Sequence, residues 1–171
     1  MASLDIEWKH LTIALNDFAD YFIQLAKDNL QANGSIASST LYDSFEKIIE
    51  IGDDYYSVKI SLEDYWVYVE NGRSAGRFPP IDKIRNWIEI KPIEALPDAN
   101  GRTPSVDQLS FLISRKIAQE GIEPKPFFEP ARQEAINRFE LTIDLAIQED
   151  VDEFIKEKVN DYLIEKFREI L

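Results

Sequence analysis

Apolar residues recur in the first part of the chain at intervals of four, three, four and three: Leu11, Leu15, Phe18, Phe22 and Leu25. That spacing holds them on one side of a helix, which the pattern runs from Asp5 to Asn33, where Asn33-Gly34 is a good stop. Such a helix would span about 43 Å at 1.5 Å per residue, against a diameter of about 40 Å for a globule of this length. It would run the full length of its own domain, and its end would need a neighbour. After the Ser-rich loop Ser35 to Thr40, the stretch from Leu41 to Ile51 leans towards β, and Gly52-Asp53-Asp54 reads as a turn. In Tyr55 to Leu62 the residues Tyr56, Val58, Ile60 and Leu62 alternate with polar or smaller ones. The two runs predict an antiparallel hairpin.

Helical offsets return between Asp64 and Asn71, in Tyr65, Trp66, Tyr68 and Val69, and stop at Asn71-Gly72. A loop follows, Arg73 to Pro80, and its double proline launches a helix over Ile81–Ile90 with Ile81, Ile84, Trp87 and Ile88 on one face. Glu94 to Pro104 is the most loop-like stretch. Ser105 is placed to cap a helix carrying Leu109, Leu112, Ile113 and Ile117, which ends near Gly121. Prolines 124, 126 and 130 mark a further turn, and Ala131 to Asn137 reads as a short helix.

The period then changes. Phe139, Leu141, Ile143, Leu145 and Ile147 alternate with Glu140, Thr142, Asp144, Ala146 and Gln148, the pattern of a half-buried third strand. Asp150 and Glu153 resemble a capping box that opens a last amphipathic helix through Val151, Phe154, Ile155, Val159, Tyr162, Leu163, Phe167 and Ile170 to Leu171. The predicted architecture is α+β in one domain over 1–171. A small antiparallel sheet of about three strands packs with a long N-terminal helix, central helices and a C-terminal helix.

Composition narrows the chemistry. The chain has 171 residues, no cysteine and one histidine, which excludes a disulfide scaffold, a thiolate metal site and a cysteine nucleophile. Its formal net charge of -13 repels phosphates, and no Lys or Arg run offsets it locally, so sequence-specific nucleic-acid binding is not expected. The N-terminus lacks a basic start and an apolar signal region, and no stretch is long and apolar enough for the bilayer. No membrane association is expected, and the chain is expected to stay in the cytoplasm where it is made.

Few residues invite a chemical role. His10 has no second histidine at ligand spacing. The pairs Asp53-Asp54 and Glu63-Asp64 lie at turns or helix starts, where carboxylates cap backbone N–H groups more often than they bind a cation. Trp66, Trp87, Tyr65 and Tyr68 could line a pocket, but at helical spacing aromatic residues are more often core. No catalytic residue, metal site or cofactor is expected. The segment Gly72-Arg73-Ser74-Ala75-Gly76-Arg77 lacks the spacing of a phosphate-binding loop and follows a helix. Its two arginines form a flexible cationic loop in an acidic chain, suited to meet carboxylates of another subunit. The plainer reading is a solvated linker.

Three motif segments look like something known. They are Tyr68-Val69-Glu70-Asn71-Gly72-Arg73 with Gly76-Arg77-Phe78-Pro79-Pro80-Ile81 and Ile84-Arg85-Asn86-Trp87-Ile88; Leu109 to Ala118 with Glu120-Gly121-Ile122; and Pro124-Lys125-Pro126-Phe127-Phe128-Glu129-Pro130-Ala131. In this order they resemble the minor tail component, or tail-completion, family of long-tailed bacteriophages. The likeness covers about Leu11 to Ala135, a family-like core over 1–135 with 136–171 as an extension. It implies a virion protein of the neck, where head joins tail, assembling as a hexameric or dodecameric ring around the DNA exit channel. It implies as partners the portal-side adaptor, the tail terminator or the tail tube.

The expected subunit interface is Gly72, Arg73, Gly76, Arg77, Phe78, Pro79 and Pro80. A ring needs two unlike patches on each subunit, and an acidic lumen lets duplex DNA slide past. The competing expectation is a cytoplasmic acidic adaptor that sequesters a basic partner.

Overall fold

The computed structural model describes residues 6–34, 39–52, 54–90, 95–97 and 101–170. Its order is α1 (Lys9–Ala32), α2 (Ser39–Asp43), β1 (Glu46–Ile51), β2 (Tyr56–Ser61), α3 (Trp66–Asn71), α4 (Ile81–Ile90), α5 (Val106–Glu120) and α6 (Phe128–Ile170).

The core forms because α1 offers an uninterrupted small-and-large stripe: Leu11, Ala14, Leu15, Ala19, Phe22, Ala26 and Leu30 are all buried. The alanines let a second helix approach closely. That helix is α6, which runs antiparallel to α1. Asp150 sits beside His10 and Leu11, Phe139 meets Phe18 edge-on at 6.0 Å, and Asn29 Nδ2 donates to the Phe127 carbonyl at 3.1 Å. Towards one end the core gathers Phe22, Ala26, Leu30, Leu41, Phe127, Ala131 and Ala135, and towards the other Leu11, Ala14, Leu15, Ile143 and Ala146.

The hairpin is present, with β1 and β2 antiparallel from Glu46↔Ser61 to Ile51↔Tyr56. Ile49, Ile51 and Val58 pack on one core cluster, and Phe45, Ile60 and Leu62 on the other. The first strand begins later than the pattern predicts, because Leu41 and its neighbours form α2 and Leu41 enters the core. Asp53, in the predicted turn, lies outside the described residues, as do 35–38 of the Ser-rich loop and 94 and 98–100 of the loop before Ser105.

The third strand does not exist. Residues 139–147, the short helix before them and the last helix after them are one continuous α6 of 43 residues, and the sheet has two strands. The alternation misleads because two of its members face outward: Leu141 is 68% exposed and Leu145 49%. The stripe that α1 meets is instead Ala131, Ala135, Phe139, Ile143, Ala146 and Asp150, at helical spacing. No glycine or proline follows Pro130, so nothing in the chain interrupts the helix. The break expected at Asp150 is absent for the same reason.

The central helices make a separate lobe. α4 packs on α5, and neither packs extensively on α1, α6 or the sheet. Ile88 of α4 is buried, and Ser110, Ser114 and Ala118 form the small, buried face of α5. Ser105 caps α5 in a complete capping box with Gln108, and Gly121 ends it.

Candidate assembly surface

The loop after α3 is not loose. Arg73 N–H donates to the Ile122 carbonyl and Ile122 N–H to the Arg73 carbonyl, each at 2.8 Å, an antiparallel bridge between this loop and the one after α5. Gly76 N–H donates to the Ala118 carbonyl at 2.8 Å, and Lys125 N–H to that of Val69 at 2.8 Å. Glycine is required on both sides of the bridge. Gly72 has φ 65° and Gly121 φ 79°. A Cβ on Gly72 would strike the Ile122 carbonyl, and one on Gly121 the Arg73 carbonyl. This clasp corrects the expectation of a flexible loop. The Arg73 side chain is partly buried and donates to the Arg77 carbonyl at 3.0 Å, whereas Arg77 is exposed.

Of the predicted interface residues, Gly72, Arg73 and Gly76 thus hold the loop in place. Arg77, Phe78 and Pro80 face solvent, and Pro79 is buried. Phe78 stacks on Phe111 of α5 with ring centres 6.1 Å apart. Phe111 and Leu112 are each about half exposed, and Arg115 follows one turn along the same outward face. Neither Arg77 nor Arg115 forms an ion pair among the described residues.

Two buried carboxylates, neither singled out for such a role by the spacing, hold the long helices in register. Glu70 accepts from the N–H groups of Phe127, Phe128 and Glu129 at 2.7, 2.8 and 3.0 Å, capping α6 from α3. Asp150 accepts from the N–H groups of His10 and Leu11 at 3.0 and 2.9 Å and from His10 Nδ1 at 2.8 Å. Trp8, the residue before α1, has no capping oxygen, so a carboxylate from α6 takes that place. The hydrogen bond to Asp150 raises the pKa of His10. Burial opposes the charge on Asp150, but the Leu11 and His10 N–H groups outweigh it and hold its pKa below the usual value. His10 is therefore a structural partner of a capping carboxylate. The motif segments meet around the first of these carboxylates and the clasp: Glu70, Gly72, Gly121, Phe127 and Phe128, the last with its ring tilted against Trp66 at 4.8 Å between ring centres.

The second open surface is the terminal amphipathic stripe of the sequence pattern. α1 ends its pairing at Asp150, and past it no described residue of α6 is buried. Ile155, Val159, Tyr162, Leu163 and Phe167 lie along this arm, Phe167 at 65% exposure, with Ile164 also exposed. The arm leaves the body at the N-terminal end of α1. The clasp and the α4–α5 lobe sit at the other end, where Lys125 Nζ donates to the Asn33 carbonyl at 3.0 Å and Asn33 Nδ2 to that of Pro126 at 2.9 Å.

Other candidates hold less. Trp66 is packed into the core edge and Tyr68 is exposed, so the four aromatics do not gather into one pocket. Glu63 and Asp64 border a wide, shallow depression of about 410 Å³ with Ser44, Glu46, Ser61 and Leu62. Among the described residues no group of three or more His, Asp or Glu could hold a metal ion, and no helix is long and apolar enough to cross a membrane. The chain matches no protein-family model, no curated protein and no solved structure.

Proposed function

We propose that the chain is a ring subunit of the neck of a tailed bacteriophage or prophage, joining head to tail around the channel through which DNA leaves. The observation that supports this reading most directly is the pair of unlike open surfaces at opposite ends of the subunit. One is an apolar helical arm and the other a lobe with exposed aromatic residues and arginines. Unlike patches at opposite ends favour head-to-tail association, the kind that closes into rings. The three motif segments add the likeness to tail-completion proteins, and here they build the hub that fixes the lobe against the core. The charge of -13 suits a wall past which DNA must move without sticking.

In this reading the protein is structural and works without a cofactor. Its partners are further copies of itself and the neighbouring neck or tail proteins, and its place is the virion. The test is genetic. A stop codon early in its reading frame should leave filled heads and finished tails that do not join. Normal, infectious particles from that mutant would remove the neck role and leave the acidic adaptor as the reading to pursue.

A further inference from the structure

We infer that the α6 arm of one copy docks on the α4–α5 lobe of the next, laying Ile155, Val159, Tyr162 and Phe167 over Phe78, Phe111 and Leu112. This deepens the ring reading by naming its contact, and rests on that reading only for closure of the ring.

Area argues that the arm is covered. At roughly 200 Å² for a large side chain, Ile155, Val159, Tyr162, Leu163 and Phe167, which share a side of the helix, leave on the order of 550 Å² open. A patch of that size is at the upper end of what a monomer exposes and often marks a contact site, and a standard interface buries about 800 Å² per partner. At 100° per residue, Ile155, Val159, Tyr162 and Phe167 fall on one side of the helix, with Glu157 and Asp161 opposite and Glu153 and Glu165 on its two flanks.

Charge selects the occupant. Segment 72–126 holds nine Lys and Arg against seven Asp and Glu, whereas the rest of the chain holds ten against twenty-five. Residues 151–171 are themselves acidic in balance, with six Asp and Glu against four Lys and Arg. Two arms side by side, or an arm on the α1 and sheet surface, bring net negative charge together. An arm on the lobe brings the flanking Glu153 and Glu165 towards Arg77 and Arg115, and none of these four forms an ion pair among the described residues.

Geometry selects the copy. The arm leaves at one end of α1 and the lobe is tied to the other, about 36 Å away for a helix of 24 residues. As a straight continuation of α6 the arm points away from its own lobe, so the contact lies between copies and is heterologous.

The chain has no cysteine, so full-length Phe167→Cys and Leu112→Cys variants each carry a single thiol. Mixed in equal amounts and oxidised, they should give the mixed disulfide dimer well above its statistical share. Adding Ile155→Asp and Val159→Asp to the arm variant should abolish that band while the helical circular dichroism is unchanged, since both side chains are solvent-exposed. Dominance of the Phe167→Cys homodimer would mean arm-to-arm pairing and overturn the inference, as would the absence of any cross-link. Particles that contain the protein in ring amounts without this cross-link would leave the neck reading standing and remove this contact. A cross-link in a protein absent from particles would do the reverse.

Discussion

Asp150 and Glu70 each satisfy the unpaired N–H groups at the start of a long helix that has no capping side chain of its own. Asp150→Ala leaves two donors unpaired and separates His10 from its partner; it should cost on the order of 2–3 kcal/mol in urea unfolding. Glu70→Ala should cost a similar amount, and the double variant about the sum, since the two caps lie at opposite ends of α1. The pH dependence follows from the directions of the shifts. The contribution of Asp150, whose folded pKa is lowered, is present above its unfolded value of about 3.9 and is lost as pH falls through the folded pKa. The contribution of His10, whose folded pKa is raised, is present below about 6.5 and is lost as pH rises through the folded pKa. Thermal unfolding against pH should show both limbs, and His10→Ala should remove the alkaline one and reduce the acid one, since the His10 side chain also helps to lower the pKa of Asp150.

Helices with strong local signals are legible from pattern alone: Ser105 with Gln108 marks the start of α5, Asn33-Gly34 the end of α1, and the hairpin follows from alternation. α6 is not, because alternation of large apolar residues over 139–147 outweighs a stripe built partly from alanines, and Leu141 and Leu145 count as core although they face water. The absence of glycine and proline after Pro130 is the signal that one helix continues. The clasp is half legible: Gly72 and Gly121 read as helix stops, but their pairing across the Arg73–Ile122 bridge needs the fold. Gly72→Ala and Gly121→Ala should each cost more than about 2 kcal/mol, from a left-handed backbone and a collision with a carbonyl. Gly76→Ala, at φ 133° but in open space, should cost about 1 kcal/mol. Chemical denaturation of the three variants checks this order. Amide exchange should be faster over 151–170 than over 128–150 in dilute protein, because only the latter packs on α1, and should slow as the protein associates.

At the scale of the whole molecule, two long helices fix the distance between an apolar arm and a cationic, aromatic lobe. The proposed interface is legible in part. Arg77 and Phe78 are exposed and Gly72 and Arg73 hold the loop, whereas the arm reads from sequence as an amphipathic terminal helix able to meet a neighbouring subunit, with no sign of where its pairing with α1 ends. In the proposed ring, the two unlike ends would meet between copies and the charge of -13 would line the channel. The most direct measurement is the amount of this protein in purified, infectious particles, quantified by peptide mass spectrometry relative to the portal. A neck subunit should be present at a fixed ratio equal to one ring per particle. Absence of the protein from particles that infect normally would contradict the neck role.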